Sequence, residues 1–209
     1  MRVSLTGTLM DDFTGLPVGN AGLTAENTNP PLTLTTTANG GFTFTVEPNT
    51  ELDIVAAGPA GYRSTRNRPV TVGAVSGVAD LGIVAATDAL RQYGTLGLIP
   101  GVGVGVVFAT MVDDAGQPLE GIPLADVQLV DGGGNPVALG PFYFGAAGDL
   151  VSNGTLAVST AFGGRARVGF LDVPAGTHTL KITFPGAGGP QTKTVDVVTS
   201  ADGVTLARL

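Results

Sequence analysis

Two pairs of adjacent carboxylates stand in matching surroundings: Asp11–Asp12 in MDDFTGLPVGN (10–20) and Asp113–Asp114 in MVDDAGQPLEG (111–121). Two carboxylates do acid–base work when they face each other across a cleft, and they hold a hard cation when loop carbonyls join them. The first chemistry is excluded by adjacency, since neighbours on an extended strand point to opposite faces. The second, calcium held by Asp11, Asp12 or the Asp113–Asp114 pair, lacks a D-x-D-x-D-G loop in support. Asp at the first position and Gly at the fourth, as in DFTG and DDAG, is instead the preference of a type I turn, and the following Pro presets φ where the next strand begins. Asp12 has a counterpart at the same spacing, Asp113, whereas Asp11 aligns with Val112. Asp12 is therefore the expected turn cap.

The other reactive side chains are few. His178 is the single histidine, so a Ser-His-Asp arrangement would have to use it. It alternates with Leu180, Ile182 and Phe184 on the apolar face of THTLKITF, where a packed side chain is expected. Cysteine is absent, which removes disulfides, thiolate nucleophiles and, with one histidine, the usual zinc sets. No cofactor or metal is expected. GYRSTRNRP (61–69) gathers Arg63, Arg66 and Arg68, three of the eight arginines, in a chain of net charge −7. On a loop such guanidinium groups grip an acidic sugar, a lipid headgroup or an acidic partner; on an edge they are solvated charges. Phe142, Tyr143 and Phe144 lie in GPFYFGAAGDLVSNG, beside Asp149 and Asn153. Tyr143 is the candidate contact if they stack on a ligand, and Phe142 and Phe144 share one face if they cover a core edge. Asn153-Gly-Thr fits a glycosylation acceptor in a eukaryotic secretory setting.

Charge and composition narrow the classes. With two lysines, Lys181 and Lys193, and an excess of acid, the chain lacks the clustered cations that neutralise nucleic-acid phosphates. Residues 1–10 alternate and carry no signal-like apolar core. The most apolar window, 97–112, is short and rich in glycine, unlike a membrane span of about 20 residues. Abundant Thr, Val, Gly and Pro with only 13% charged residues describe short strands joined by tight turns.

These strands form a repeat. Met10, Asp12, Gly15 and Pro17 recur as Met111, Asp113, Gly116 and Pro118, and TANGG (37–41) recurs as TAFGG (160–164). An alternating strand, a proline turn and a further strand follow each time. Between the two markers the second copy is 22 residues longer, most of it in 131–154. Phe42, Phe44 and Val46 are expected on a dry face opposite Thr43 and Thr45, and Val3, Leu5 and Leu9 likewise in the first strand. One wet and one dry face per strand means antiparallel sheets packed as a sandwich. Between the copies, ATDALRQYGTLG (86–97) supports one short helical turn, capped by Thr87 or Asp88 and ended by Gly94.

The markers Asp12, Gly15, Pro17, Thr37, Gly41, Phe42, Pro48, Gly61 and Tyr62, repeated as Asp113, Gly116, Pro118, Thr160, Gly164, Pro174 and Gly176, resemble the carboxypeptidase regulatory-like domain. That resemblance implies a transthyretin-like, or prealbumin-like, Greek-key sandwich related to the B-type repeats of Gram-positive adhesins. It also implies an extracytoplasmic accessory, stalk or interaction role. Arg165 departs from it where the first copy has Phe42, as does His178 in a slot often filled by tyrosine. The Lys–Asn isopeptide bond of some adhesin repeats is not expected, because neither first strand carries a lysine. Two enzyme families of similar fold are excluded by residue type: intradiol dioxygenases need two His and two Tyr on iron, and hydroxyisourate hydrolases need several His and a Tyr-Arg-Gly-Ser ending, where this chain ends TLARL.

The chain is thus expected to be all-β: two tandem prealbumin-like (Ig-like Greek-key) antiparallel β-sandwiches at 1–86 and 98–209, joined by a linker at 87–97, with an inserted hairpin or loop near 131–154. The expected role is a non-catalytic exported or cell-surface structural or interaction module, its signal segment lying outside this chain. Its partner would be a protein or cell-envelope component. The alternative is a carbohydrate- or peptide-binding module that uses loops 61–69 and 131–154.

Overall fold

The computed structural model describes residues 1–152, 158–186 and 189–209, so Asn153 and the rest of its acceptor triplet lie outside the described residues. The chain divides into two compact units, Met1–Asp88 and Ala89–Leu209, and the division falls inside the segment read as a linker.

In the first unit, β1 (Val3–Asp11) pairs antiparallel with β4 (Gly41–Val46). On its other edge it pairs parallel with β10 (Gly77–Val78) and β11 (Leu81–Ala85), and β11 then takes β7 (Tyr62–Arg63). Opposite lies the sheet β3–β2–β6–β8, built from β2 (Gly22–Ala25), β3 (Leu32–Thr35), β6 (Ile54–Ala57) and β8 (Thr65–Arg66). A small ladder joins β5 (Thr50–Leu52) to β9 (Val70–Val72). Val3, Leu5, Leu9, Phe42, Phe44 and Val46 meet Leu23, Ala25, Ile54 and Ala56 in one core, while Thr43 and Thr45 face solvent, as the alternation requires.

The second unit repeats this pairing. β12 (Val104–Thr110) pairs antiparallel with β16 (Arg167–Pro174) and parallel with β19 (Val204–Arg208). Its other sheet is β13–β17–β18, with β13 at Val127–Val130, β17 at Gly176–Gly186 and β18 at Gly189–Thr199. Local bonds echo too: Leu9 N–H donates to Gly40 O and Val18 N–H to Leu9 O (2.9 and 2.8 Å), as Met111 N–H donates to Ala166 O and Leu119 N–H to Met111 O (2.8 and 3.0 Å). One segment departs. After β2 the chain returns alongside it as β3, but after β13 it crosses to the other sheet, where β14 (Leu139–Phe144) pairs with β16 and with β15 (Leu150–Val151). A short 3-10 turn, Leu124–Asp126, precedes β13.

Three expectations are corrected. The sheets are not purely antiparallel, because the first and last strands of each unit run side by side in the same direction. The strands of the second unit do not all have a wet face: β12 and β16 are buried almost throughout. Their inner residues join the sandwich core, and their outer residues, Phe108, Arg167 and Gly169 among them, lie beneath a further layer. The continuous apolar run VGVVFA is the signature of a strand covered on both faces. Finally, the single helical turn is a ten-residue helix, α1 (Ala86–Thr95). Gly94 does not end it. Gly97 at φ 68° does, in a Schellman arrangement in which Leu98 N–H donates to Tyr93 O (2.9 Å) and Gly97 N–H to Gly94 O (3.1 Å). Burial of Ala89, Gln92 and Tyr93 stabilises a helix too short to persist alone.

Candidate functional site

The paired carboxylates cap turns. In the first unit Asp11 Oδ1 accepts from Phe13 N–H (3.0 Å), Thr14 N–H (2.8 Å) and Thr14 Oγ1 (3.0 Å), and Asp11 is only 4% exposed. In the second, Asp113 Oδ1 accepts from Gln117 N–H (2.8 Å). The capping residue of the first turn is therefore Asp11 and not Asp12. The strand ends pair at Met10↔Pro17 and Val112↔Pro118, so the first loop holds one residue more. In both units the cap is the residue directly after the bridge, a register that alignment on proline spacing conceals.

Tyr62 is tied to the same turn. Partial burial pushes its phenol above the ordinary tyrosine range, reinforced by the Asp11 charge, by the hydrogen bond it donates to Asp11, and by the Asp88 charge. Asp131 repeats the capping chemistry in DGGGN. Its Oδ1 accepts from Gly133 N–H (2.8 Å) and Asn135 N–H (2.9 Å), and the Asn135 backbone and amide bonds hold its carboxyl below the usual range. Glu120 is lowered likewise by the Thr160 hydroxyl and backbone N–H. His178 is buried on the inner face of β17, with Nε2 2.9 Å from Pro174 O.

The arginine segment is not one cluster. Arg63 sits on β7 opposite Val84, half-buried. Arg66 on β8 forms an ion pair with Glu26, and Arg68 is exposed on the following loop. Tyr143 is 7% exposed and lies across from Val168 and Val151, so its ring offers no open stacking surface. Phe144 is fully buried on the opposite face of β14, where the alternation places it beside Phe142.

That outer face holds what residue patterns did not point to. Arg167, 1% exposed, holds its guanidinium 4.7 Å from the Phe144 ring centroid, 5.8 Å from Phe108 and 6.0 Å from Phe162. Phe162 in turn stacks on Phe144 at 5.8 Å. Such a cation over several ring faces is favourable and most so when desolvated. The C-terminal part of α1 closes this layer. Gln92 accepts from Leu150 N–H (2.7 Å) and donates to Gly148 O (3.2 Å), while Arg91 pairs with Asp149. Tyr93 Oη donates to Asp172 Oδ1 (3.0 Å) and accepts from Asp172 N–H (3.2 Å). Asp172 is left-handed (φ 53°), at a bulge where β16 carries one residue more than β12.

The second unit also has an apolar cavity of about 230 Å³ beside β13, lined by Leu124, Val127, Leu129, Ala138, Pro141 and Phe170. Among the described residues no group of three or more His, Asp or Glu is placed to hold a metal, and no helix is long and apolar enough to cross a membrane.

No family model matches the chain, and no curated protein matches it. Among solved structures it is similar to the Bacillus anthracis TIE protein, at TM-score 0.35 and 18% identity over 100% of this chain and 33% of that one. It is also similar to a streptococcal ancillary pilin, at TM-score 0.32 and 16% identity over 100% of this chain and 62% of that one. A third is the shaft pilin SpaA from Lactobacillus rhamnosus GG, at TM-score 0.27 and 13% identity over 99% and 96%. The chain thus spans about a third of the first and about three-fifths of the second.

Proposed function

We propose that the chain is a non-catalytic structural or interaction module, built of two tandem prealbumin-like sandwiches and working outside the cytoplasm at a cell surface. One observation carries this reading: six ionisable groups, the single histidine among them, are engaged in holding the chain's own fold. Asp11, Asp113, Asp131 and Asp172 accept main-chain N–H groups, Glu120 accepts from Thr160, and His178 is bonded to Pro174 O. A general acid or base needs a proton-accepting atom facing a substrate, and these atoms face groups of the chain itself, in their own turns for Asp11, Asp113 and Asp131 and across the fold for Glu120 and Asp172. The shared strand pairing of the two units supports duplication of one domain.

A second reading, peptide binding through the 131–154 segment, is favoured by the apolar cavity at its start. Two measurements test the main proposal. Fractionation of the source cells is expected to find the chain in the envelope or medium, and a cytosolic location overturns the surface role. Chromogenic ester, glycoside and phosphate substrates are expected to survive incubation, and turnover lost on Asp113→Asn overturns the non-catalytic reading.

A further inference from the structure

The sheet β13–β17–β18 ends on a long strand whose outer side is uncovered. Leu129 O accepts from Val137 N–H (3.2 Å) and Leu124 O accepts from Val127 N–H. Val127 and Leu129 therefore turn their backbone groups away from β17, and Gln128 and Val130 turn theirs toward Lys181 and Thr179. By the same alternation Leu180 and Ile182 bond across to Val195 and Lys193 on β18. That leaves Thr192, Thr194 and Asp196 pointing their N–H and C=O groups out of the sheet. Val198 follows the pattern, since its carbonyl accepts from Thr205 Oγ1 (2.8 Å). Thr192, Thr194 and Asp196 are exposed, β18 is the last strand of its sheet, and among the described residues nothing bonds these main-chain groups. Lys193 does not bar the edge, because its ammonium is drawn to Asp114 and Val112 O and over the Phe184 ring. An open edge is a template for another strand, and very short edge strands are one way of blunting it. The counterpart of β18 in the first unit, β8, is two residues long; β18 has eleven.

We propose that this edge pairs with the same edge of a second copy of the chain, the two β18 strands running antiparallel about a two-fold axis at Thr194. The strand's own sequence selects that partner and that register. Thr194 meets Thr194 of the second copy, and on either side Thr192 meets Asp196, each an outward pair that exchanges two main-chain bonds. At both ends Pro190 meets Val198. Pro190 has no N–H to give, and the Val198 carbonyl opposite needs none, being held by Thr205, while the Val198 N–H and the Pro190 carbonyl still match. Their exposed apolar side chains adjoin on the outer face, where the Thr192 hydroxyl also faces the Asp196 carboxylate. Moving the axis by one residue spoils the match. At Lys193 it sets two lysines face to face, and at Val195 it sets Thr192 N–H against the engaged Val198 carbonyl. An isologous contact of this kind closes on itself as a dimer. One strand pair falls short of the ~1,200 Å² of stable complexes, so the association is weak and concentration-dependent.

The inference deepens the interaction-module reading and rests on it. Analytical ultracentrifugation of the full chain from about 10 µM to about 1 mM is expected to show a reversible monomer–dimer equilibrium. Thr194→Pro removes an N–H that bonds nothing within the chain, and losing both central bonds is expected to weaken the dimer at least about tenfold. Should that variant unfold by circular dichroism, two substitutions of the same exposed side chain replace it. Thr194→Lys and Thr194→Glu each set like charges directly opposite at the axis, and each alone is expected to dimerise several-fold more weakly. Mixed in equal amounts they bring opposite charges together, and dimerisation is expected to return. The proposal is overturned by a chain that stays monomeric at about 1 mM, by a folded Thr194→Pro that dimerises like the parent, or by a mixture no stronger than either charged variant alone. Fractionation and turnover are independent of this edge, so either proposal can fail while the other stands.

Discussion

Tyr93→Phe isolates a single hydroxyl. The ring remains, so no cavity opens, and what is lost is the bond to Asp172 Oδ1 at 3.0 Å and the one accepted from Asp172 N–H at 3.2 Å. A hydrogen bond to a charged group contributes about 1.5–3 kcal/mol, and a buried N–H left without its acceptor costs about 1–3 kcal/mol. Asp172 is half-buried, which places the second figure at its lower end, and its carboxylate keeps the bond from Gly101 N–H (3.0 Å), which moderates the first. The expected loss is about 2–4 kcal/mol, a large part of the ~5–15 kcal/mol that holds a domain folded. Urea unfolding followed by far-UV circular dichroism measures it. Hydrogen exchange should rise at residues 89–98 and 148–150, which α1 holds together. Asp172→Asn tolerates the left-handed backbone and serves as the second arm of a double-mutant cycle, with about 1–2 kcal/mol of coupling expected. A loss below about 0.5 kcal/mol, or strict additivity of the two changes, refutes the reasoning.

Phe44→Ala, which opens the first core, should cost about 3–5 kcal/mol in a denaturant titration, and less than about 1 kcal/mol contradicts its placement. Gly169→Ala sets a methyl 2.8 Å from the Leu150 side chain and should cost about 1–3 kcal/mol, partly restored by Leu150→Val. Asp11→Ala removes the acceptor for three donors of its own turn and for the Tyr62 hydroxyl and should cost about 1–2 kcal/mol, whereas Asp11→Asn, keeping an oxygen, should lose less than half of that. Tyr62 supplies an alkaline limb. Its pKa is raised in the fold, so its contribution is complete below the ordinary tyrosine value of 10.0 and is lost as pH rises through the folded value. Denaturation midpoints from pH 8 to 11 should fall less steeply in Tyr62→Phe than in the parent chain; identical slopes would remove Tyr62 from that role.

What local chemistry governs was legible in the residues. The alternation of Phe42, Thr43, Phe44, Thr45 and Val46 assigned faces, because a strand has a period of two whatever surrounds it. The Asp-Gly-Pro spacings marked the turns, because turn conformations depend on a few φ values. His178 lay inside for the same reason as its neighbours Leu180 and Ile182. The cap in the first turn shifted from Asp12 to Asp11 because the loop length between paired strands, rather than residue order, selects which carboxylate reaches the N–H groups.

The long-range pairings were not legible. Nothing local distinguishes GPFYF as a strand of one sheet from a strand of the other. The crossing of β14 follows from the apolar outer face of β12 and β16, whose area is removed from water by the segment and helix above it. That layer also lengthened α1, since helix propensity alone does not support ATDALRQYGT and buried Gln92 and Tyr93 do. The same crossing leaves a cavity beside β13. Short-range sterics and hydrogen bonding, written residue by residue, determined the strands, their faces and their turns. Burial summed over residues far apart in the chain decided which edge each strand took.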